Sequence, residues 1–360
     1  MSTPTRVLVD GSALADGRRD AGIGRYVRQL FDALQEVEDL DAHLVRPWPP
    51  PHESQLVRFL SPQPALLAAA VRFHPDVVHA PAGDPVLGSP KARQVVTVHD
   101  TVPWEGHRGG IAGAYLGGQR HRIQRCARVI AVSPDVAEGV VRVLGVDPDR
   151  VRVVPEGFNP VFTAVPDPGD AEAAAAAGVP AGPYVLWVGS LRAHDPRKAL
   201  DVLVDAMGGL AATLVLVGAP GAESTRVANL AAARGVRVAM PGFVDDAVLA
   251  SLYRHAGVVA VPSLHEGFGL PVLEALACGA PVVASAVGNI PHLAGDAADL
   301  VAPGDAAALR GAIDRMLTDE EHRQLLAGRG PAIAAGYSWQ RAAVLTVAVY
   351  CEVSEETVNN

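Results

Sequence analysis

The chain has 360 residues, a net charge of −9 and a pI near 5.7, so it exceeds what one hydrophobic core usually organises and offers nucleic acid little attraction. Three widely spaced cysteines, Cys126, Cys278 and Cys351, argue against a disulfide framework or a structural zinc and point to the cytoplasm. No apolar run reaches the roughly 18 residues of a membrane span, and the first residues lack the pattern of a secretory signal, which leaves only peripheral membrane contact through a local patch.

Taken in chain order, short Val/Leu/Ile runs predict strands at 6–9, 42–45, 77–79, 94–99, 128–132 and 151–154. They lack polar alternation, as expected of strands buried on both faces of a parallel sheet. Helices are predicted at 24–36 and 111–126, and Ser133-Pro134 reads as a further helix start, with serine as N-cap and proline in the first turn. A linker is expected near 160–183, around an alanine run at 173–177 that reads as a short exposed helix. The second half repeats the scheme, with strands at 184–188, 213–217, 236–239, 258–261 and 281–284 and helices at 199–207, 224–233, 245–255, 270–278 and 306–318. This alternation predicts an α/β fold of two doubly wound, Rossmann-like domains with right-handed crossovers. Ligands of such sheets bind beyond the carboxyl ends of the strands, so two facing domains predict chemistry in an interdomain cleft.

The most informative segment is Pro262-Ser263-Leu264-His265-Glu266-Gly267-Phe268-Gly269-Leu270-Pro271-Val272-Leu273-Glu274-Ala275. Gly267 and Gly269 permit a tight loop, and Pro271 suits the first turn of a helix whose N-terminus favours an anion such as a diphosphate. Glu266 sits in the loop and Glu274 about a turn into the helix, spaced to touch two parts of one extended polyhydroxyl ligand. A bare glycine turn of this kind is as often a packing turn; the full string is more specific.

That string resembles the signature of the family-4 retaining glycosyltransferases, a mannosyltransferase-like subgroup included, which have the GT-B architecture of two facing Rossmann-like domains. The resemblance implies an N-terminal acceptor-side domain over 1–165, a C-terminal nucleotide-sugar domain over 175–337, and a C-terminal helix over 338–356 that packs back on the first. It implies that Glu266 contacts hydroxyls of the transferred sugar, that Glu274 holds the ribose, and that Gly267, Phe268, Gly269 and Leu270 bind the diphosphate through their amides. After strand 184–188, Gly189-Ser190-Leu191-Arg192-Ala193-His194-Asp195-Pro196-Arg197-Lys198 matches the family's cationic cluster. Lys198, one of two lysines in the chain, and Arg192, favoured over Arg197, would neutralise the leaving diphosphate, whose charge grows as the glycosidic bond breaks. Phe243 and Val244 resemble the segment that packs against the base. Pro291-His292 departs from the usual Pro-Glu.

In the first half, Gly22 and Gly24 of Gly22-Ile23-Gly24-Arg25-Tyr26 resemble a family glycine loop, whereas a dinucleotide fingerprint needs a third glycine that is absent. His99 would lie beside the donor sugar, with Asp100 orienting its ring or facing the acceptor. Glu156 stands where relatives have asparagine, in a segment that reads equally as a simple turn. The five arginines of 108–128 read first as a solvated helix face, and otherwise as a surface for an anionic acceptor or membrane.

The resemblance implies metal-independent hexosyl transfer without a cofactor, from a nucleotide sugar to a sugar, lipid-linked or small-molecule acceptor. GDP-mannose is the favoured donor and a UDP-sugar the next. Alternatives on the same fold are a pseudoglycosyltransferase, a sugar phosphorylase or an inactive partner subunit.

Overall fold

The computed structural model describes residues 4–16, 22–47, 55–88, 93–106 and 109–358. The chain divides into two compact units, one formed by Met1–Gly157 with Ser338–Asn360 and the other by Phe158–Tyr337.

In the first unit, strands β1 (Thr5–Asp10), β2 (Leu40–Val45), β3 (Val77–Ala80), β4 (Arg93–Val98), β5 (Arg128–Ala131) and β6 (Val151–Val153) form a parallel sheet in the order β2-β1-β3-β4-β5-β6. Val7, Leu8, Val78, Val95, Val96 and Ile130 are fully or almost fully buried, which accounts for the unbroken apolar runs. The expected strand 94–99 ends at Val98, so His99 stands just past its carboxyl end. The helix Gly22–Leu34 and the C-terminal helix Trp339–Val358 both cover this sheet.

A buried polar chain ties these elements together. Tyr350, on the C-terminal helix, lies 2.7 Å from His79 Nδ1 on β3; His79 Nε2 lies 2.8 Å from Thr97 Oγ1 on β4; Tyr26 reaches the same hydroxyl at 3.2 Å. A neutral imidazole has one donor and one acceptor nitrogen, which two hydroxyls can match. Burial, with the charge of His99 adding to it, pushes the His79 pKa down to about 3 and keeps the ring neutral.

In the second unit, β7 (Tyr184–Val188), β8 (Thr213–Val217), β9 (Val238–Gly242), β10 (Val258–Val261), β11 (Val282–Ser285) and β12 (Ala298–Val301) form a parallel sheet in the order β12-β11-β10-β7-β8-β9. Its core gathers Trp187, Leu203, Leu214, Val258, Ile313 and Met316.

Three expectations change. The segment 160–183 is not a free linker but part of the second unit. Its helix Asp170–Ala176 is anchored where Arg254 Nε donates to Asp170 Oδ2 at 2.6 Å, Arg254 Nη2 donates to Oδ1, and Ser251 Oγ donates to the Asp170 carbonyl at 2.6 Å. The strand expected at 236–239 runs instead from Val238 to Gly242, because an edge strand with a bulge beside it tolerates Pro241. β12 was not anticipated: it is half-exposed and interrupted by Asp299, whose carboxylate lies 2.9 Å from His322 Nε2 on the equally unforeseen helix Glu320–Ala334.

Candidate active site

The strand order of the second unit reverses direction between β7 and β10, which pair directly. Chains leaving two neighbouring strands at such a switch point diverge and open a crevice at their carboxyl ends. The loop after β7 carries Gly189 to Lys198, and the loop after β10 carries Ser263 to Gly269. The Leu264 amide donates to the Arg197 carbonyl at 2.7 Å and joins the two loops. Lys198 Nζ then donates to Glu266 Oε2 at 2.9 Å, and Ser263 Oγ donates to the same oxygen at 3.1 Å. The lysine is about one-third exposed, so its ammonium is both paired and accessible.

The local sequence explains this placement. Asp195 caps the short 3₁₀ turn Pro196–Lys198, accepting from the Arg197 amide at 3.1 Å. Ala199 follows in the left-handed conformation at φ 48°, a strained state for a residue with a Cβ. That bend starts the helix Leu200–Met207 after Lys198. Asp195 also takes the Arg197 guanidinium at 3.0 and 2.9 Å. Burial favours the neutral acid here, but the Arg197 hydrogen bonds and charge, with Lys198, outweigh it and hold the Asp195 carboxyl below its ordinary range. Arg192 is exposed on the same loop.

Glycines shape the acid loop. Gly269, at φ 101°, caps the helix Leu270–Ala277. A Cβ on Gly288, at φ 51°, would fall 2.1 Å from the Glu266 carbonyl, so only glycine lets that turn lie against the loop. Asn289 completes the clamp, its Nδ2 donating to the Phe268 carbonyl at 2.9 Å. Gly288 and Asn289 were not singled out in the sequence because they lie some twenty residues beyond the motif that they support. Phe268 is buried with its ring 6.0 Å from that of Tyr337, so its side chain anchors the loop. Glu274 is 2% exposed and accepts from the Tyr253 hydroxyl at 3.0 Å. Gly189 packs under Trp187, where a Cβ would meet the indole at 2.6 Å, and Ser190 Oγ accepts from the Arg192 amide at 3.4 Å. Past β9, Phe243 is 59% exposed and Val244 half-buried.

The first unit holds His99. Its Nδ1 donates to Glu156 Oε1 at 3.1 Å and its Nε2 to the Pro81 carbonyl at 2.8 Å. Both partners offer acceptor oxygens, which favour a proton on each ring nitrogen and so the charged form of the ring. Burial opposes that charge, but Glu156, Pro81 and Asp100 together outweigh it and raise the His99 pKa. Glu156, not Asp100, therefore orients the ring. The edge of Tyr26 meets His99 at 4.6 Å, so the glycine-loop motif and the histidine share one packing site. Gly22 opens the helix and Gly24 is buried on it; the preceding residues 17–21 lie outside the described residues. Beside His99 is a cavity of about 190 Å³ lined by Arg58, Asp100, Trp104, Tyr115 and Gln119 among others. Asp84, also on its wall, accepts from Tyr115 at 2.6 Å and Gln119 at 2.7 Å. Among the described residues no cluster of three metal-ligating side chains occurs, and no helix is long and apolar enough to cross a membrane.

Two parallel α/β units, one with a cation and an acid at a glycine-lined switch point, define a doubly wound class of protein whose ligands sit beyond the carboxyl ends of the strands. The family model described as Glycosyltransferase Family 4 matches residues 21–162, and that described as Glycosyl transferases group 1 matches residues 182–319. The chain belongs to this glycosyltransferase family, with its GT-B fold. It is 34% identical over 252 residues to a D-inositol 3-phosphate glycosyltransferase of Xylanimonas cellulosilytica, an alignment covering 66% of this chain and 60% of the relative. It is 35% identical over 176 residues to the O-antigen chain mannosyltransferase B of Escherichia coli, covering 46% and 45%. The chain thus spans well under two thirds of these curated relatives. Among solved structures, sucrose-phosphate synthase from Thermosynechococcus elongatus superposes with a TM-score of 0.80 at 26% identity, covering 97% of this chain and 99% of that one. Anabaena HepE in complex with UDP and glucose superposes at 0.72 with 20% identity, covering 99% and 100%, a likeness of fold.

Proposed function

We propose that the chain transfers a hexose from a nucleoside-diphosphate sugar to a hydroxyl acceptor, with retention of anomeric configuration and without a metal. The observation that carries this reading is the 2.9 Å contact of Lys198 with Glu266 at the switch point of the second sheet. A nucleotide sugar has a diphosphate for the ammonium and hydroxyls for the carboxylate, and this crevice offers both in reach of one ligand. As the anomeric bond to phosphate breaks, Lys198 and the exposed Arg192 meet the charge growing on the diphosphate. Arg192 is the more exposed of the two loop arginines, which favours it over Arg197 for this role. Phe243, exposed at the end of β9, offers an aromatic face for the base. Glu274 answers to the ribose by turning from Tyr253.

On the first unit, His99 meets a hydroxyl of the transferred sugar by exchanging its Nε2 contact with the Pro81 carbonyl for it, and the neighbouring cavity takes the acceptor. Its mixture of Trp104, Asp100, Gln119 and Arg58 suits a polyhydroxylated group. With both ring nitrogens engaged, His99 is not placed as a base; the leaving phosphate takes the acceptor proton on the same face, which is how configuration is retained. The E. coli mannosyltransferase relative supports mannose as the transferred sugar, and a further HepE structure, in complex with UDP-glucose, makes that sugar nucleotide the competing donor.

Calorimetric titration with GDP, UDP, ADP and dTDP and their sugars tests this. One nucleoside diphosphate binds, and binding weakens in Lys198→Ala and Glu274→Ala. Binding by none of them removes the reading.

A further inference from the structure

The arginines of the segment 108–128 do not form a solvated helix face alone. Arg122 and Arg125 at the end of the helix Gly110–Gln124, Arg93 at the start of β4, Arg128 at the start of β5 and Arg150 just before β6 all line one cavity of about 620 Å³ in the first unit. No carboxylate is among the described residues that line it. In a chain of net charge −9, this wall gathers five guanidinium groups.

Some of that charge has partners from outside the wall. Arg128 Nε donates to Glu352 at 3.1 Å, Arg150 Nη1 donates to the carbonyls of Gln124 and Cys126, and the nearby Asp84 acts on Arg122. Arg122 stacks on Phe59 at 4.1 Å, and its buried Nε and Nη2 make no hydrogen bond. Buried N–H groups without acceptors are costly, and like charges around one cavity repel. An anion inside it relieves both, and planar guanidinium groups match the oxygens of phosphate best. The volume also falls in the range of small-molecule sites.

We propose that this cavity binds the phosphate or diphosphate group of a ligand distinct from the sugar donor. Its position keeps the two apart. The arginines lie at the amino ends of β4, β5 and β6, whereas His99 follows the carboxyl end of β4. The six steps from Arg93 to His99, at about 3.3 Å each, separate them by roughly 20 Å, so a group held here does not touch what His99 touches. The shared chemistry is a phosphate, carried either by a soluble compound or by a lipid headgroup.

The test is calorimetric titration of the full chain with inorganic pyrophosphate, beside co-sedimentation with phosphatidylcholine vesicles with and without phosphatidic acid. The exposed Arg125 is changed in Arg125→Gln, alone and with Arg122→Gln, so that a folding defect in the double variant still leaves the single one to read. Pyrophosphate is expected to bind this cavity about tenfold more weakly in the arginine variants, and to show the same loss when they are made in a Lys198→Ala background that silences the donor site. Binding only to phosphatidic acid vesicles, weakened by the same variants, supports the site with a lipid as its ligand. Pyrophosphate binding that is lost in Lys198→Ala and intact in the arginine variants overturns the proposal, as does binding in neither arm. Failure of the nucleotide titrations would remove the donor reading and leave these outcomes untouched.

Discussion

Glu156 Oε1 lies 3.1 Å from His99 Nδ1, on a side chain only 5% exposed, and favours the charged form of the histidine against the cost of its burial. Because the His99 pKa is raised in the fold, the stabilisation from this pair is full below the ordinary histidine value near 6.5 and is lost as pH rises through the elevated one. In Glu156→Gln the imidazole is expected to lose its proton at lower pH, and this stabilisation to shrink. NMR titration of the ring measures the shift directly; an unchanged His99 titration would contradict the assignment.

The Lys198–Glu266 pair should be sensitive on both sides. Lys198→Ala and Glu266→Ala are each expected to lower turnover about 100-fold or more, the scale of one lost contact to transition-state charge. Steady-state kinetics with the donor found by titration checks this, and near-wild-type rates in both would remove the site assignment.

Gly288→Ala probes the support rather than the chemistry. The new methyl would strike the Glu266 carbonyl and occupy a left-handed backbone. A loss of about 1–3 kcal/mol in urea unfolding is expected, with weaker nucleotide binding because the Glu266 loop must move.

Arg254 and Asp170 are both buried, and the Asp170 pKa is held down at about 2, first by the Arg254 hydrogen bonds. Asp170→Ala leaves a buried cation without its partner and is expected to cost about 3–5 kcal/mol. In the wild type the contribution of this pair is present above the unfolded value near 3.9 and fades as pH falls towards 2, which acid unfolding will record.

His79 works in another pH window. It stays neutral in the fold down to about pH 3, while an unfolded histidine charges near 6.5. Between those values the unfolded chain binds the extra proton, so stability falls on acidification by on the order of 1 kcal/mol per pH unit. His79→Gln should flatten that slope in thermal unfolding between pH 6.5 and 4, whatever its midpoint.

The sheets were legible because their strands are buried on both faces: Val7 to Val9 or Val258 to Val261 carry no polar interruption. β12 was not, because Asp299 in an edge strand breaks the pattern that periodicity reads. Glu266 and Lys198 were found from local motifs, but their contact depends on β7 and β10 being neighbours, which pairing alone decides. Glu156 looked like a turn residue since its partner lies 57 positions earlier. Arg93, Arg125 and Arg150 looked unrelated because three separate strand starts bring them together.

The first unit is discontinuous: the helix Trp339–Val358 completes it from the far side of the whole second unit. A Cβ on Gly157 would fall 2.2 Å from the Trp339 amide, so the outgoing and returning chain lie backbone to backbone. Tyr350 supplies a partner for the buried His79, and Glu352 one for Arg128 and Arg152. The first unit is therefore complete only when two stretches far apart in sequence have met. The second unit, continuous in sequence, carries no such dependence on a distant segment, so cutting the chain after Tyr337 leaves its residues whole while removing a helix from the first.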